Sequence, residues 1–304
     1  MTRRPILVLA NPAAGGKLGS GPRLAEDAAL LEPAALERAL RERGLEVHLH
    51  ELSEEDDVAA LSASAAAGGR DVVVAGGDGT VASAAGALLD SHATLGILAA
   101  GSFNNIAHGF GIPTELEPAL EVIGRGEAAR VDAAEVHHPD VEPATFFEAA
   151  GVGVEAAGFA IVDVRERRGW WFRARIAWRA LRHRSSVVRL SIDGRTAIVR
   201  TPAVVVCNGP YHGLGFAVAP DADPADGLLD AALFRRMGAT RLVLHLLRVA
   251  RGRRIREPRV QVRRGREIRI ESVGPAVLVH ADGRLTGGTP VTFRVREGAL
   301  RVFR

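Results

Sequence analysis

The chain has 304 residues, 47% of them hydrophobic and 25% charged, with a formal net charge of +3. That length suggests two domains with room for a core in each, and the proportion of apolar residues excludes a disordered chain. The single cysteine, Cys207, excludes an internal disulfide and fits a reducing cytoplasm; no apolar run is long enough to span a membrane, and the one after Arg4 is too short for a signal peptide.

Ile6 to Ala10 reads as the first strand. It ends in Asn11-Pro-Ala-Ala-Gly15-Gly16-Lys17, where Pro12 fixes φ and the glycines open the backbone. This loop is either a plain βα connection or a phosphate cradle with Lys17, the sole lysine of the chain, as its cation. Pro33 to Arg43 reads as a helix stopped by Gly44, Leu45 to Leu49 as a strand, and Val58 to Ala67 as a second helix ended by Gly68-Gly69.

The next stretch, Asp71-Val-Val-Val-Ala-Gly-Gly-Asp-Gly-Thr-Val81, dominates the first half. Val72 to Ala75 has the charge-free, β-branched texture of a strand buried on both faces. Gly76, Gly77 and Gly79 around Asp78 let the backbone turn sharply and approach a ligand with its amides free to face phosphate. Thr80 is expected to cap a helix over Val81 to Leu89, whose N-terminus favours an anion. Thr94 to Leu98 is the following strand and runs into Gly101-Ser-Phe-Asn-Asn105. Three βα units thus end in glycine-bearing loops, which a doubly wound sheet gathers on its carboxyl edge. Glu115 to Gly124 reads as a short helix, and the first domain is expected to end near Arg130.

From Val131 the texture changes to short alternating runs separated by turn residues, the pattern of an antiparallel β domain. The runs are 131–136, 145–150, 187–192, 196–200, 203–207, 229–234, 260–262, 267–270, 277–280 and 291–295. Helical segments are expected near 165–184 and 239–251. No histidine spacing suggests zinc, and His137-His138 read as surface loop beside a Pro-Asp turn.

Taken together, Asn11-Pro-Ala-Ala-Gly15, Gly76-Gly-Asp-Gly-Thr80 and Gly101-Ser-Phe-Asn-Asn105 make the chain resemble the diacylglycerol kinase catalytic superfamily, in its small soluble bacterial branch related to sphingosine kinases. Gly151 and Gly153, Asn208-Gly209, Asp226-Gly-Leu-Leu-Asp230 and Asp282-Gly283 extend the likeness over nearly the whole chain. It implies a phosphofructokinase-like α/β nucleotide domain over 1–130 and an antiparallel β-sandwich lipid domain over 131–304, with late strands free to return to the first domain and an active site between the two. It implies an ATP-dependent kinase acting on a lipid hydroxyl such as that of diacylglycerol, with ATP and Mg²⁺ as cofactors, a cytoplasmic location with peripheral contact to anionic membrane, no nucleic-acid partner, and a homodimer left open.

Two departures from the family pattern remove negative charge. Asn105 stands where the family has aspartate, and Arg284 where it has a glutamate implicated as general base. The alternative function is therefore a nucleotide- and lipid-binding protein with weak or no kinase turnover.

Phosphoryl transfer needs positioning, a metal and a destination for the hydroxyl proton. The nucleotide is assigned to Asn11, Gly15, Gly16, Lys17, Gly76, Gly77, Gly79, Thr80, Gly101, Ser102 and Asn104. Asp78 and Asp282 are the catalytic carboxylates, with Asp78 otherwise a turn residue bonded to its own backbone. Asp226 and Asp230 form either a Mg²⁺ site or an Asp-Gly turn beside a strand-end charge. Arg284 is assigned to substrate. The segment Arg165 to Arg184 holds all three tryptophans. On a helix it would set Trp170, Trp178 and Leu181 on one face and Arg175, Arg179 and Arg182 on another. That suits an anionic membrane surface or a helix packed on the β domain.

Overall fold

The computed structural model describes residues 4–15, 31–153, 185–213, 215–234 and 259–304. The chain divides into two compact units, one reaching to Asp132 and taking in Gly298–Arg304, the other formed by Ala133–Glu297.

In the first unit, β1 (Ile6–Ala10), β2 (Val47–Glu51), β3 (Asp71–Gly76) and β4 (Thr94–Ala99) form a parallel sheet in the order β2-β1-β3-β4. Among the described residues, six helices follow the strands: α1 (Pro12–Gly15), α2 (Pro33–Glu42), α3 (Val58–Ala67), α4 (Asp78–Ala87), α5 (Asn105–Gly109) and α6 (Leu116–Arg125). Both sheet faces are covered, as the unbroken burial of β3 requires. One face packs Ile6, Val8 and Val73 against Leu36 and Leu40 of α2 and Leu120 and Ile123 of α6. On β1 and β3, α3 and α4 pack together. Local chemistry sets the helix limits. Asp57 caps α3, its Oδ1 accepting the N–H of Ala59 at 2.9 Å and of Ala60 at 3.1 Å. Gly126, at φ +72°, ends α6 in the left-handed region where glycine has no Cβ penalty.

β5 (Ala128–His138), which passes into the second unit at Ala133, forms a hairpin there with β6 (Val141–Phe146). They are followed by β7 (Ala149–Gly153), β8 (Ser186–Ile192), β9 (Arg195–Thr201), β10 (Ala203–Cys207), the small pair β11 (Tyr211–His212) and β12 (Phe216–Ala217), and β13 (Leu229–Phe234). The remainder are β14 (Val260–Gly265), β15 (Glu267–Ser272), β16 (Leu278–Ala281), β17 (Arg284–Gly288) and β18 (Val291–Phe303). One antiparallel sheet has the order β14-β13-β10-β7-β16-β17; the other runs β9-β8-β15-β18-β5-β6. Their inner faces share one core containing Val152, Val204, Leu233 and Val279 from the first and Phe146, Leu190, Ile270 and Phe293 from the second. Phe146 and Phe293 meet edge to face with centroids 6.1 Å apart. This is the expected sandwich. The last strand begins in this unit and ends in the first, where Arg301 and Val302 pair in parallel with Thr94 and Leu95 of β4.

Several expected elements shift. The strand expected at Leu45 to Leu49 lies at Val47–Glu51, and the run 145–150 is broken into β6 and β7. The helix after β3 begins at Asp78 rather than Val81, because the N–H of Val81 already donates to the Gly77 carbonyl at 3.0 Å. Thr80 is therefore inside the first turn and is not its cap. His137 and His138 are not in a loop but on β5; His138 Nδ1 faces the Gly288 carbonyl and its Nε2 faces Thr286 Oγ1, each at 3.0 Å. The helical segments expected near 165–184 and 239–251, tryptophans included, lie outside the described residues.

Candidate functional site

The parallel sheet order brings the first three motifs together, because β1, β3 and β4 are neighbours and each motif leaves the carboxyl end of its strand. Asn11 Nδ2 donates to Thr80 Oγ1 at 3.0 Å, joining the first motif to the second. The Ala100 N–H donates to the Gly76 carbonyl at 3.0 Å, joining the second to the third. Within the third motif, Asn104, at φ +51°, closes a small loop, its Oδ1 accepting from Gly101 N–H at 2.9 Å. Ser102 and Phe103 stand exposed at the loop tip. Gly15 ends the short helix α1, while Gly16 and Lys17 lie outside the described residues.

The closest approach is between Gly77 and Gly101. A Cβ added at Gly101 would stand 2.7 Å from Gly77 Cα and 2.7 Å from Asn104 Oδ1, so one loop would have to move. Around Gly79, by contrast, nothing lies within 4 Å of an added Cβ. Backbone–backbone packing of this kind leaves a cradle lined by main chain, with Gly77 as the N-cap of α4 and no side chain capping that end. It suits a phosphate chain, which amides and a helix dipole can bind without side chains. If the cradle holds the phosphates of a nucleotide, Gly101→Ala is expected to weaken ATP binding at least about tenfold by calorimetry, because one binding loop is displaced. Gly79→Ala has room in the protein itself, so any loss there reports a ligand lying against that glycine.

Asp78 does not bond its own turn. Its Oδ1 accepts the N–H of Ile106 at 3.1 Å, and the amides of Asn105 and Asn104 also reach the carboxylate. The side chain thus caps α5 and fixes the third motif on the second. Burial pushes the carboxyl above its usual range, while the three amides pull the other way. Asn105, where the family pattern has aspartate, is buried.

In the second unit Asp282 sits at φ +42° in the turn between β16 and β17. Its Oδ2 accepts from Phe147 N–H at 2.8 Å, and its Oδ1 from Glu148 and Ala149 N–H at 3.0 and 3.2 Å. Burial raises this carboxyl too, against the pull of the amides and of the nearby His212. Arg284 is exposed on the same turn. Sequence reading passed over Glu148 and His212, which stand beside Asp282; a carboxylate inside the apolar run from Phe146 to Ala150 was the available signal.

The two carboxylates expected to hold Mg²⁺ do not fit a resident ion. Arg264 lies with its Nε 2.9 Å from Asp230 Oδ1 and its Nη1 3.7 Å from Asp226 Oδ2, so a guanidinium already supplies the positive charge. Among the described residues, no group of three or more histidine, cysteine or acidic side chains is placed to hold a metal. Burial raises the Asp230 carboxyl, and the bond to Arg264 lowers it. Arg264→Ala would leave that buried charge without its partner. Because the arginine is 43% exposed, the expected loss is about 1–3 kcal/mol at pH 7. The sign with pH follows from the raised value: as pH falls through it, Asp230 protonates and the penalty shrinks. Urea unfolding at pH 7 and pH 4 should show the larger difference from wild type at pH 7.

Residues 5–136 match the model of the diacylglycerol kinase catalytic domain, and residues 149–304 match that of the YegS C-terminal NAD kinase beta sandwich-like domain. The chain belongs to the diacylglycerol kinase-like family with this C-terminal domain. A diacylglycerol kinase of Mycobacterium tuberculosis is 27% identical over 235 residues, 75% of this chain and 74% of the relative. A solved structure of a diacylglycerol kinase from Bacillus anthracis superposes with a TM-score of 0.73 at 20% identity, over 100% of this chain and 97% of that one. A second structure from that organism gives 0.75 at 21% identity, over 100% and 98%. These neighbours carry the same fold, the α/β unit followed by the β-sandwich. Among the described residues, no helix is long and apolar enough to cross a membrane.

Proposed function

We propose that this member of the family is an ATP-dependent lipid kinase that transfers the γ-phosphoryl group to a lipid hydroxyl, that of diacylglycerol or a related lipid. The observation that carries the reading is the backbone contact of Gly77 with Gly101 at the carboxyl edge of the parallel sheet, with Asn11 and Thr80 tied across it. In this reading the glycine loops hold the phosphates through main-chain amides, and Asp78 positions the third loop. Asp282 faces the acceptor hydroxyl as its proton acceptor, and Arg284 lies beside the lipid head group. Mg²⁺ arrives with the nucleotide, since it is commonly bound by phosphates, water and one or two carboxylates. The protein works from the cytoplasmic side of an anionic membrane as a peripheral enzyme.

The test is to incubate the protein with γ-labelled ATP, Mg²⁺ and a mixed lipid extract, and to identify the labelled product. A labelled phospholipid is expected. Label that goes only to a soluble dinucleotide, or nowhere, rejects the lipid-kinase reading. A nucleotide- and lipid-binding protein with little turnover is the second reading. It draws on one feature, the permanently charged Arg284 on the exposed turn next to Asp282.

A further inference from the structure

Strand β17 begins at Arg284, just past the Asp282 turn, and packing does little to hold it. It is the last strand of its sheet, and its ladder with β16 shifts register between Val279 and His280. No β17 residue is buried, and Arg284, Leu285 and Gly287 are exposed. Such a strand gains little from the hydrophobic effect, and an irregular ladder on one side specifies its register weakly. Side-chain hydrogen bonds fix it at two places instead. Before its start, Asp282 accepts the amides of Phe147, Glu148 and Ala149. Further along, the bonds come from His138.

His138 is the last residue of β5, which belongs to the opposite sheet of the sandwich. It pairs with Val141 across the β5–β6 turn, where Asp140 stands at φ +58°. The ring therefore projects from a fixed base. Its Nδ1 is 3.0 Å from the Gly288 carbonyl and its Nε2 3.0 Å from Thr286 Oγ1. A carbonyl only accepts, so Nδ1 carries a hydrogen and donates to Gly288. A hydroxyl donates or accepts, so the Thr286 bond forms whether or not Nε2 carries a hydrogen. Gly287, between these two partners, lies against the ring. A Cβ added there would stand 3.2 Å from Cε1 and 3.3 Å from both ring nitrogens, on a backbone at φ +150° that side chains avoid. One imidazole thus grips three consecutive residues of β17 and ties the edge of one sheet to the other.

Thr286 is two residues from Arg284, about 6–7 Å along a strand. A strand held there cannot slip past β16 without breaking the bonds to His138. With Asp282 fixed on one side and Thr286 on the other, the backbone of Arg284 is held between two anchors. That matters for an exposed arginine, whose long side chain is costly to order and gets no help from burial.

We infer that His138 is a positioning residue for the acceptor, holding β17 so that Arg284 stays where the polar end of the lipid meets it. The inference rests on the lipid-kinase reading, in which Arg284 lies beside the lipid head group. His138 acts through the strand and needs no contact with the lipid.

The test measures kcat/KM for dioleoylglycerol in detergent micelles, with the KM for ATP alongside. His138→Ala removes both bonds and should lower kcat/KM for the lipid by about 10–10²-fold, up to the loss that a 1 Å misplacement produces, with the KM for ATP unchanged. His138→Asn keeps a donor near the place of Nδ1 and should restore part of the loss. Thr286→Val removes one bond and should cost about 2–10-fold. The deciding arm repeats His138→Ala in the Arg284→Gln background. Two residues that act as one unit are not additive, so the histidine change should have little further effect there. A full effect in that background overturns the inference, because His138 would then act on something other than Arg284. An equal rise in the KM for ATP overturns it too, as does an unchanged kcat/KM. If His138→Ala does not fold, Thr286→Val in the same two backgrounds decides. Wild type that phosphorylates no lipid rejects the kinase reading and this inference with it, whereas an active wild type with additive variants rejects the inference alone.

Discussion

Asp78→Ala is expected to cut lipid phosphorylation by at least about 10²-fold, and Asp78→Asn by much less, because the carboxylate acts by holding a loop. Alanine strips the acceptor from the amides of Asn104, Asn105 and Ile106. Each partly buried donor left without a partner costs about 1–3 kcal/mol, so the third loop will not stay where Gly101 meets Gly77. A shift of about 1 Å in such a loop is enough for a 10²-fold loss. Asparagine keeps an oxygen in place for at least part of this cap. Stability adds a second reading of the same side chain. Burial raises the folded carboxyl, so wild type loses stability as pH rises from the ordinary aspartate range through the raised value. Asp78→Asn should flatten that part of a urea-unfolding profile. If asparagine is as inactive as alanine while both variants fold and bind ATP, the charge itself acts in the transfer and the positioning account is wrong.

The reach of the sequence can be judged from such residues. Glycine at Gly77 and Gly101 is a local signal, since only a residue without Cβ lets two main chains touch, and the order of the βα units was enough to place both on one sheet edge. Buried apolar runs such as Val72 to Ala75 and Ala203 to Cys207 were equally plain, for they can only be interior strands. What stayed hidden was the partner of each polar group. The amides that Asp78 caps begin 26 residues further along, 104 − 78, and Arg264 reaches Asp230 across 34 residues. Neither distance leaves a mark in local pattern. The strand Arg284–Gly288 escaped for a related reason: Arg-Leu-Thr-Gly-Gly has no apolar alternation, and this edge strand exists because β16 pairs with it. The last strand was legible only to Val295, where Arg296, Glu297 and the positive-φ Gly298 interrupt a ladder that continues to Phe303.

Arg284→Glu is expected to speed phosphorylation of plain diacylglycerol, on which wild type should be slow. A guanidinium stays protonated at every working pH, so Arg284 cannot accept the hydroxyl proton. It is exposed, one residue past Gly283, and its fixed charge stands next to the only partly exposed carboxylate of the turn, Asp282. In the proposed reading, glutamate at this place would offer a solvated base beside the acceptor hydroxyl. General-base help is worth about 10²–10⁴-fold, but a loose phosphoryl-transfer transition state asks little of a base, and in the proposed reading Asp282 already accepts the proton. A gain of about 10–100-fold in kcat is therefore expected, at or below the lower end of that range. Arg284→Gln separates charge from basicity. If the gain belongs to the base, glutamine stays near wild type; if it comes from removing a cation beside the nucleophile, glutamine gains as much as glutamate. A third pattern would reverse the assignment. Wild type turning over at ordinary kinase rates, about 1–100 per second, with both variants slower, would make Arg284 a ligand of the lipid head group or the transferring phosphate, where a planar guanidinium binds oxygen anions in pairs.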